Sequence, residues 1–214
     1  MSAIAWTRVL FDLDGTVVDT IPLILASYEH ALASVLGEPL DEPRARRWIG
    51  RSLVETLGNE YPDDADALVD AYLEFNQASM RALLRRVDGM DEALGALRAA
   101  GVQTGVATSK RRSSAHDTLE LAGLAEAFEV VVTAEDTPTH KPDPAPLLLA
   151  AQRVGGTGPV VYVGDAVVDI EAAHAAGFAA IAVTWGAGDL DDLRQAYPAA
   201  IVQTPAELVR LVLG

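Results

Sequence analysis

Between residues 88 and 185 the chain repeats one grammar: a helical stretch, a break, then a short run that is apolar almost from end to end. A helix from about Met90 to Ala100 stops at Gly101 before VQTGVAT, and one near Ser114 to Ala122 stops at Gly123 before FEVVVTA. A helix near Pro144 to Arg153 precedes PVVYVG, and one near Asp169 to Ala176 stops at Gly177 before FAAIAVTW. A strand with one face in water alternates apolar and polar residues, whereas a strand covered on both faces is apolar throughout. The intervening helices supply that cover. The pattern therefore predicts an α/β fold built on a doubly wound, Rossmann-like parallel sheet.

The first strand is separated from this series. It lies in VLFDLDGTVVDT, Val9 to Thr20, and from about Ile21 to Leu84 there is no alternation. Apolar residues recur there at helical spacing, as in Leu25, Tyr28, Leu32 and Leu36, and Gly37, Gly50, Gly58 and the proline-bearing EPLDEP and EYPDDAD divide the stretch into several helices. A chain of 214 residues is long enough for one core plus a smaller insertion. The expected organisation is a core of residues 1–18 and 86–214, interrupted by a helical cap at 19–85.

Composition narrows the chemistry. With 31 acidic against 16 basic residues the formal charge is -15, which repels a phosphate backbone and argues against nucleic acid as a partner. No run is apolar enough for a membrane span and the N-terminus lacks a signal-peptide layout, so the expected location is cytoplasmic, with no membrane partner. There is no cysteine, which removes thiolate nucleophiles and cysteine-ligated metal. Catalysis must rest on oxygen and nitrogen groups. Among the basic residues only Lys110 and Lys141 are lysines, so each marks a place where a compact ammonium stands in a chain that otherwise uses arginine.

In open parallel sheets the ligand crevice lies beyond the carboxyl ends of the strands. The first strand ends in Asp12-Leu13-Asp14-Gly15-Thr16, the second in Thr108-Ser109-Lys110, the loop after the third carries His140-Lys141-Pro142, and the fourth ends in Gly164-Asp165 with Asp169 one helical turn on. Acids, a hydroxyl and an ammonium thus converge on one rim, a set suited to a phosphate ester. Asp12, at the end of a rigid strand, is the candidate nucleophile. Asp14 reaches further out and is the candidate general acid and base, a neighbouring carboxylate helping to hold its proton. Asp12, Asp165 and the backbone carbonyl of Asp14 offer oxygen ligands for Mg2+, with Asp169 at the edge of that shell. Thr108, with Ser109 and the amides that follow at a helix N-terminus, suits phosphate oxygens, and Lys141 adds a point charge to them. Lys110 is expected only to flank the site, and the tryptophans to pack.

Taken singly, each of these elements has an ordinary structural explanation. DxD is commonly a solvated turn, TSK a helix cap, and GDAVVD a turn whose acids suit a helix N-terminus. Their joint occurrence at four strand ends is what points to chemistry.

In these motifs the chain resembles the haloacid dehalogenase-like hydrolases, in the branch with a helical cap after the first motif. FDLDGTVVDT is similar to the first motif, ATSK to the second, HKPDP to the third and VGDAVVDIEAAHAAG to the fourth. The resemblance implies Asp12 as nucleophile, Asp14 as acid and base, Thr108 and Lys141 as phosphate ligands, and magnesium held by Asp12, Asp14 and Asp165 with Asp169 assisting. An acid at position 14 implies phosphate transfer and not dehalogenation, because a departing halide needs no proton. The implied activity is that of a phosphatase acting on a small phosphorylated metabolite, 2-phosphoglycolate first; an inorganic pyrophosphatase and a phosphosugar mutase are the alternatives. A phospho-acceptor receiver domain shares an aspartate, a hydroxyl and a lysine but has neither a lid nor an Asp14. Within the helical insertion, RARRWIGRS places Arg51 after Gly50, where it is the candidate partner for a second anionic group of the substrate. Oligomeric state is left open.

Overall fold

The computed structural model describes residues 6–214. Eight strands and ten α-helices follow one another along the described chain: β1 (Arg8–Phe11), β2 (Val18–Asp19), α1 (Ile21–Val35), α2 (Glu42–Arg46), α3 (Leu53–Glu60), α4 (Ala65–Leu83), β3 (Arg85–Arg86), α5 (Met90–Ala99), β4 (Gln103–Ala107), α6 (Arg112–Ala122), β5 (Val130–Val132), α7 (Ala145–Val154), β6 (Val160–Gly164), α8 (Val167–Ala175), β7 (Ala179–Val183), α9 (Leu190–Gln195), β8 (Ala200–Val202) and α10 (Pro205–Leu213).

Six strands form one parallel sheet in the order β5-β4-β1-β6-β7-β8, so the sheet grows outward in both directions from β1. Strand periodicity divides its side chains between two cores. Val9, Phe11, Val161, Val163, Ile181 and Val183 point to the face covered by α5, α6 and α10. Leu10, Tyr162, Ala180 and Ala182 point to the face covered by α7, α8 and α9. This is the doubly wound α/β arrangement that the apolar runs predict. The sixth strand, β8, extends the sheet beyond the expected set; with only AIV in it, between Ala199 and Gln203, it carries no pattern of its own in the sequence.

The chain leaves this sheet on β2 and returns on β3, which pair antiparallel with Val18 opposite Arg86 and Asp19 opposite Arg85. Between them α1 packs along α4, and a third apolar cluster gathers Ile24, Tyr28, Leu32, Trp48, Leu57, Leu68 and Tyr72. Trp48 meets Tyr28 edge-on at 5.1 Å between ring centroids, and Tyr28 meets Tyr72 at 4.8 Å. The helices therefore have a core of their own and sit over the carboxyl ends of β1 and β4. Gly50 shapes the contact with the sheet domain. Its φ is +87°, and a β-carbon there would crowd Val168 and Ala166 at about 3.1 and 3.2 Å, so only glycine lets this loop lie so close to the start of α8.

Candidate active site

Asp12 follows β1 directly, and its amide continues the ladder by donating to Val163 O at 2.8 Å. The residue is 1% exposed. Asp12, Asp165 and Asp169 each bring a carboxylate oxygen to within 4.8 Å of one another, all three buried. Three buried carboxylates need positive charge, and Lys141 supplies part of it: its ammonium lies 2.6 Å from Asp169 Oδ1 and 2.9 Å from Asp12 Oδ1. Lys141 is also hydrogen-bonded to Tyr162 Oη at 3.3 Å, and that hydroxyl donates to Ala107 O. Burial disfavours the lysine's charge, yet Asp12 and Asp169 hold its pKa well above the ordinary value. Burial pushes the Asp12 carboxyl well above its usual range; Lys141 opposes the rise, and Asp169, Asp165 and Asp14 add to it.

The acids are not equally satisfied. Asp165 accepts from Thr16 Oγ1 at 2.8 Å and from the amide of Ala187 at 2.7 Å. Asp169 accepts from Lys141 on one oxygen and from the amide of Ala166 on the other. Asp12 Oδ1 is buried with no hydrogen-bond donor, its contact with Lys141 being ionic only. A buried anionic oxygen without a donor is costly, and a hard divalent cation bound by oxygens is one remedy. This all-carboxylate donor set fits such an ion. Burial, and then the charge of Asp169, raises the Asp165 pKa to about 7.

Asp14 stands apart. Its Oδ1 accepts from Thr20 Oγ1 at 2.6 Å and from Lys110 Nζ at 2.8 Å, with the lysine and aspartate side chains only 9% and 12% exposed. Two expectations change here. The charged neighbour that touches Asp14 is an ammonium, not a carboxylate, and Lys110 is wired to the candidate acid instead of flanking the site. Sequence separation hid the pair, since its members stand 96 positions apart. The carboxylate of Asp14 is likewise outside the three-aspartate group, which leaves its backbone carbonyl as the atom available to a metal. Gly15 makes the sharp turn after it: φ is +78°, and a β-carbon would lie 2.5 Å from Asp165 Oδ2.

Above these groups lies a cavity of about 410 Å³ between the sheet domain and the helices. Asp12, Asp14, Thr108, Ser109, Lys110 and Arg51 all line it.

A family description, haloacid dehalogenase-like hydrolase, matches residues 9–183. The chain belongs to the haloacid dehalogenase-like hydrolases. It is 32% identical over 206 residues to the pyrophosphatase PpaX of Bacillus velezensis, covering 96% of this chain and 95% of that protein. It is 34% identical over 208 residues to the phosphoglycolate phosphatase of Xylella fastidiosa (strain Temecula1), covering 94% of this chain and 91% of the relative. The crystal structure of a hydrolase from Pseudomonas syringae superposes with a TM-score of 0.85 at 26% identity, over 95% of this chain and 96% of that one. Within the haloacid dehalogenase-like hydrolases these relatives make the chain a phosphatase.

Set in this family, the remaining candidates fall into place by geometry. Thr108 is buried on the loop after β4, where its Oγ1 accepts from the amide of Lys110 at 3.2 Å. The helix that follows begins only at Arg112, with Arg111 as its N-cap, so neither Thr108 nor Ser109 caps it. The phosphate-binding hydroxyl expected at a helix N-terminus is thus four residues ahead of the helix. Ser109 Oγ donates to Gly50 O at 2.9 Å and ties the sheet domain to the helical segment. A second tie is His140, whose Nδ1 lies 3.0 Å from Glu55 Oε1 and whose Nε2 lies 3.2 Å from Ala134 O. The loop after β7 was missed by sequence reasoning. Ala187 reaches Asp165 there through its backbone amide, which no sequence pattern marks, and Trp185, expected only to pack, donates from Nε1 to Thr16 O at 3.0 Å.

Proposed function

We propose that this phosphatase hydrolyses the monoester of a small phosphorylated metabolite in a magnesium-dependent reaction, through a phosphoryl group carried on Asp12. The observation that carries the reading is the Asp12 carboxylate: fixed at a strand end, buried, and left with an oxygen that no hydrogen bond occupies. Asp12 attacks phosphorus and the bond from phosphorus to the alcohol oxygen breaks, leaving an acyl phosphate on Asp12. Asp14 protonates the departing alkoxide. In the second half Asp14 takes a proton from water as that water attacks phosphorus, which returns the Asp12 carboxylate and releases inorganic phosphate. Lys141, held charged against Asp12 and Asp169, offsets the negative charge that gathers there, and the Thr108 hydroxyl and nearby amides orient the phosphoryl oxygens. Mg2+ held by Asp12, Asp165, Asp169 and the carbonyl of Asp14 would supply further charge neutralisation.

In this reading the helical segment 19–85 serves as a cap on the core formed by 1–18 and 86–214, and its ties through Ser109 and His140 keep water out during transfer. Arg51, lining the cavity from the cap side, is the group for a second anion, which keeps 2-phosphoglycolate among the substrates to test. Pyrophosphate is the second reading, supported by the name of the Bacillus velezensis relative. The test is phosphate release from a panel of phosphomonoesters and pyrophosphate, with magnesium and with chelator. Turnover of monoesters that chelator abolishes is expected; release from pyrophosphate alone would overturn the monoester reading.

A further inference from the structure

The floor of the cavity is polar, whereas the wall facing it is largely apolar, with Arg51, Ser52, Glu55 and Asn76 also on that side. Ile24, Tyr28, Trp48, Ile49, Tyr72 and Leu73 line the side supplied by the helices. Tyr28, Trp48 and Tyr72 form a contiguous aromatic patch with centroid separations of 5.1 and 4.8 Å about Tyr28. Val54, 52% exposed and one of the few large apolar side chains on the surface, lies at the same cavity. Burial pushes both tyrosine phenols above their usual range, so the two hydroxyls stay protonated.

Neither 2-phosphoglycolate nor pyrophosphate uses such a wall. Both are compact polyanions with no apolar part to cover these rings; Lys110 is taken by Asp14, and Arg51 is the cap-side cation that remains for a second anion. A volume of about 410 Å³ falls in the range of about 300–1,000 Å³ that holds ligands of drug-like size. Apolar lining gains free energy only when a ligand covers it.

We propose that the preferred substrate is a phosphomonoester whose alcohol part carries an uncharged, ring-sized apolar group seated against Tyr28, Trp48 and Tyr72. This deepens the phosphatase reading and rests on it for turnover. The phosphate lies at Asp12 and Thr108, the scissile oxygen beside Asp14, and the apolar group beyond Asp14 against the aromatic patch. Aromatic rings present large rigid faces that hold such a group without polar contacts.

The experiment has two arms. In the first, kcat/KM is compared with magnesium for ethyl phosphate and 2-phenylethyl phosphate, whose alkoxide leaving groups are chemically alike, beside 2-phosphoglycolate and pyrophosphate. In the second, the affinities of the non-hydrolysable ethylphosphonate and 2-phenylethylphosphonate are measured by calorimetry. At least a tenfold advantage for the phenyl compound is expected in both, about 1.4 kcal/mol. Equal affinity of the two phosphonates overturns the proposal, whatever turnover shows. Faster hydrolysis of 2-phosphoglycolate or pyrophosphate than of the phenyl ester also overturns it, while leaving the phosphatase reading intact. If the phosphonates discriminate but no ester is turned over, the pocket assignment holds and the phosphatase reading fails.

Discussion

The two sides of the cavity are built on opposite principles. The floor comes from the ends of β1 and β4, where Asp12, Asp14, Thr108 and Lys110 line the cavity; beneath it Lys141 holds Asp12 and Asp169 at 2.9 and 2.6 Å, and Thr16 and Ala187 hold Asp165 at 2.8 and 2.7 Å. The wall comes from α1, α4 and the loop at Trp48–Gly50, and it is held by ring contacts and burial. Charges need fixed partners, and a strand in mid-sheet fixes its end better than any loop does. Apolar contacts tolerate variation in shape, so helices can present a different wall without disturbing the floor. The difference teaches that the charged and the apolar sides of the cavity are carried by separate parts of this chain.

Breaking the floor has the largest expected effect. Asp12→Asn keeps the shape of the side chain but loses the proposed nucleophile, and turnover is expected to fall by roughly a thousandfold or more with the thermal transition retained. Activity near wild type in phosphate-release assays would rule out the phosphoryl-aspartate route.

The two lysines sharpen the comparison within the floor. Lys141 is 1% exposed and touches two aspartates, so the larger planar head of Lys141→Arg cannot enter without displacing them, and a loss of roughly a hundredfold in kcat/KM is expected. Lys110 holds only Asp14. Lys110→Arg misplaces the acid slightly, with a loss of about tenfold to a hundredfold for alkyl phosphates and less for an aryl phosphate, whose leaving group needs no proton. Equal loss on both ester types would assign Lys110 to phosphate binding instead.

A smaller effect comes from the charge on the floor. The Asp165 pKa is raised to about 7 in the folded protein, against roughly 3.9 when unfolded, so between those values the folded state binds more protons. Stability of the metal-free protein therefore falls as pH rises through that window. Magnesium binds the deprotonated carboxylates, so its gain in Tm should be several degrees larger at about pH 8 than at about pH 5. A gain that is equal at both values, or larger in acid, would remove the carboxylate cluster as the metal site.

The smallest effect lies on the cap side. Arg51→Ala should raise KM for 2-phosphoglycolate about tenfold, from about 1.5 kcal/mol for one charged hydrogen bond, and leave 2-phenylethyl phosphate within about twofold. A uniform response to both substrates would take Arg51 out of selectivity.

Much of this was legible in the chain. The apolar runs gave the sheet because burial on both faces demands them, and the four acids and Lys141 could be placed because each sits at a strand end or on the loop or first helical turn that follows one, a place set by topology in an α/β sheet. Local sequence also located the helical segment, since its apolar spacing differs from that of the strands. Contacts that cross the fold were not legible. Lys110 meets Asp14 across 96 residues, Ser109 reaches Gly50 across 59, and Ala187 reaches Asp165 through an amide that any residue possesses. Trp48, Tyr28 and Tyr72 read as packing residues, which they are. That the same rings also face the cavity depends on how the helices settle on the sheet, a matter of tertiary packing about which periodicity within a helix says nothing. Sequence determines which residues must be buried and which ends must carry charge, because those are properties of a residue and its near neighbours. Which lysine serves which aspartate, and what the substrate's far end meets, is decided only when distant segments share one space.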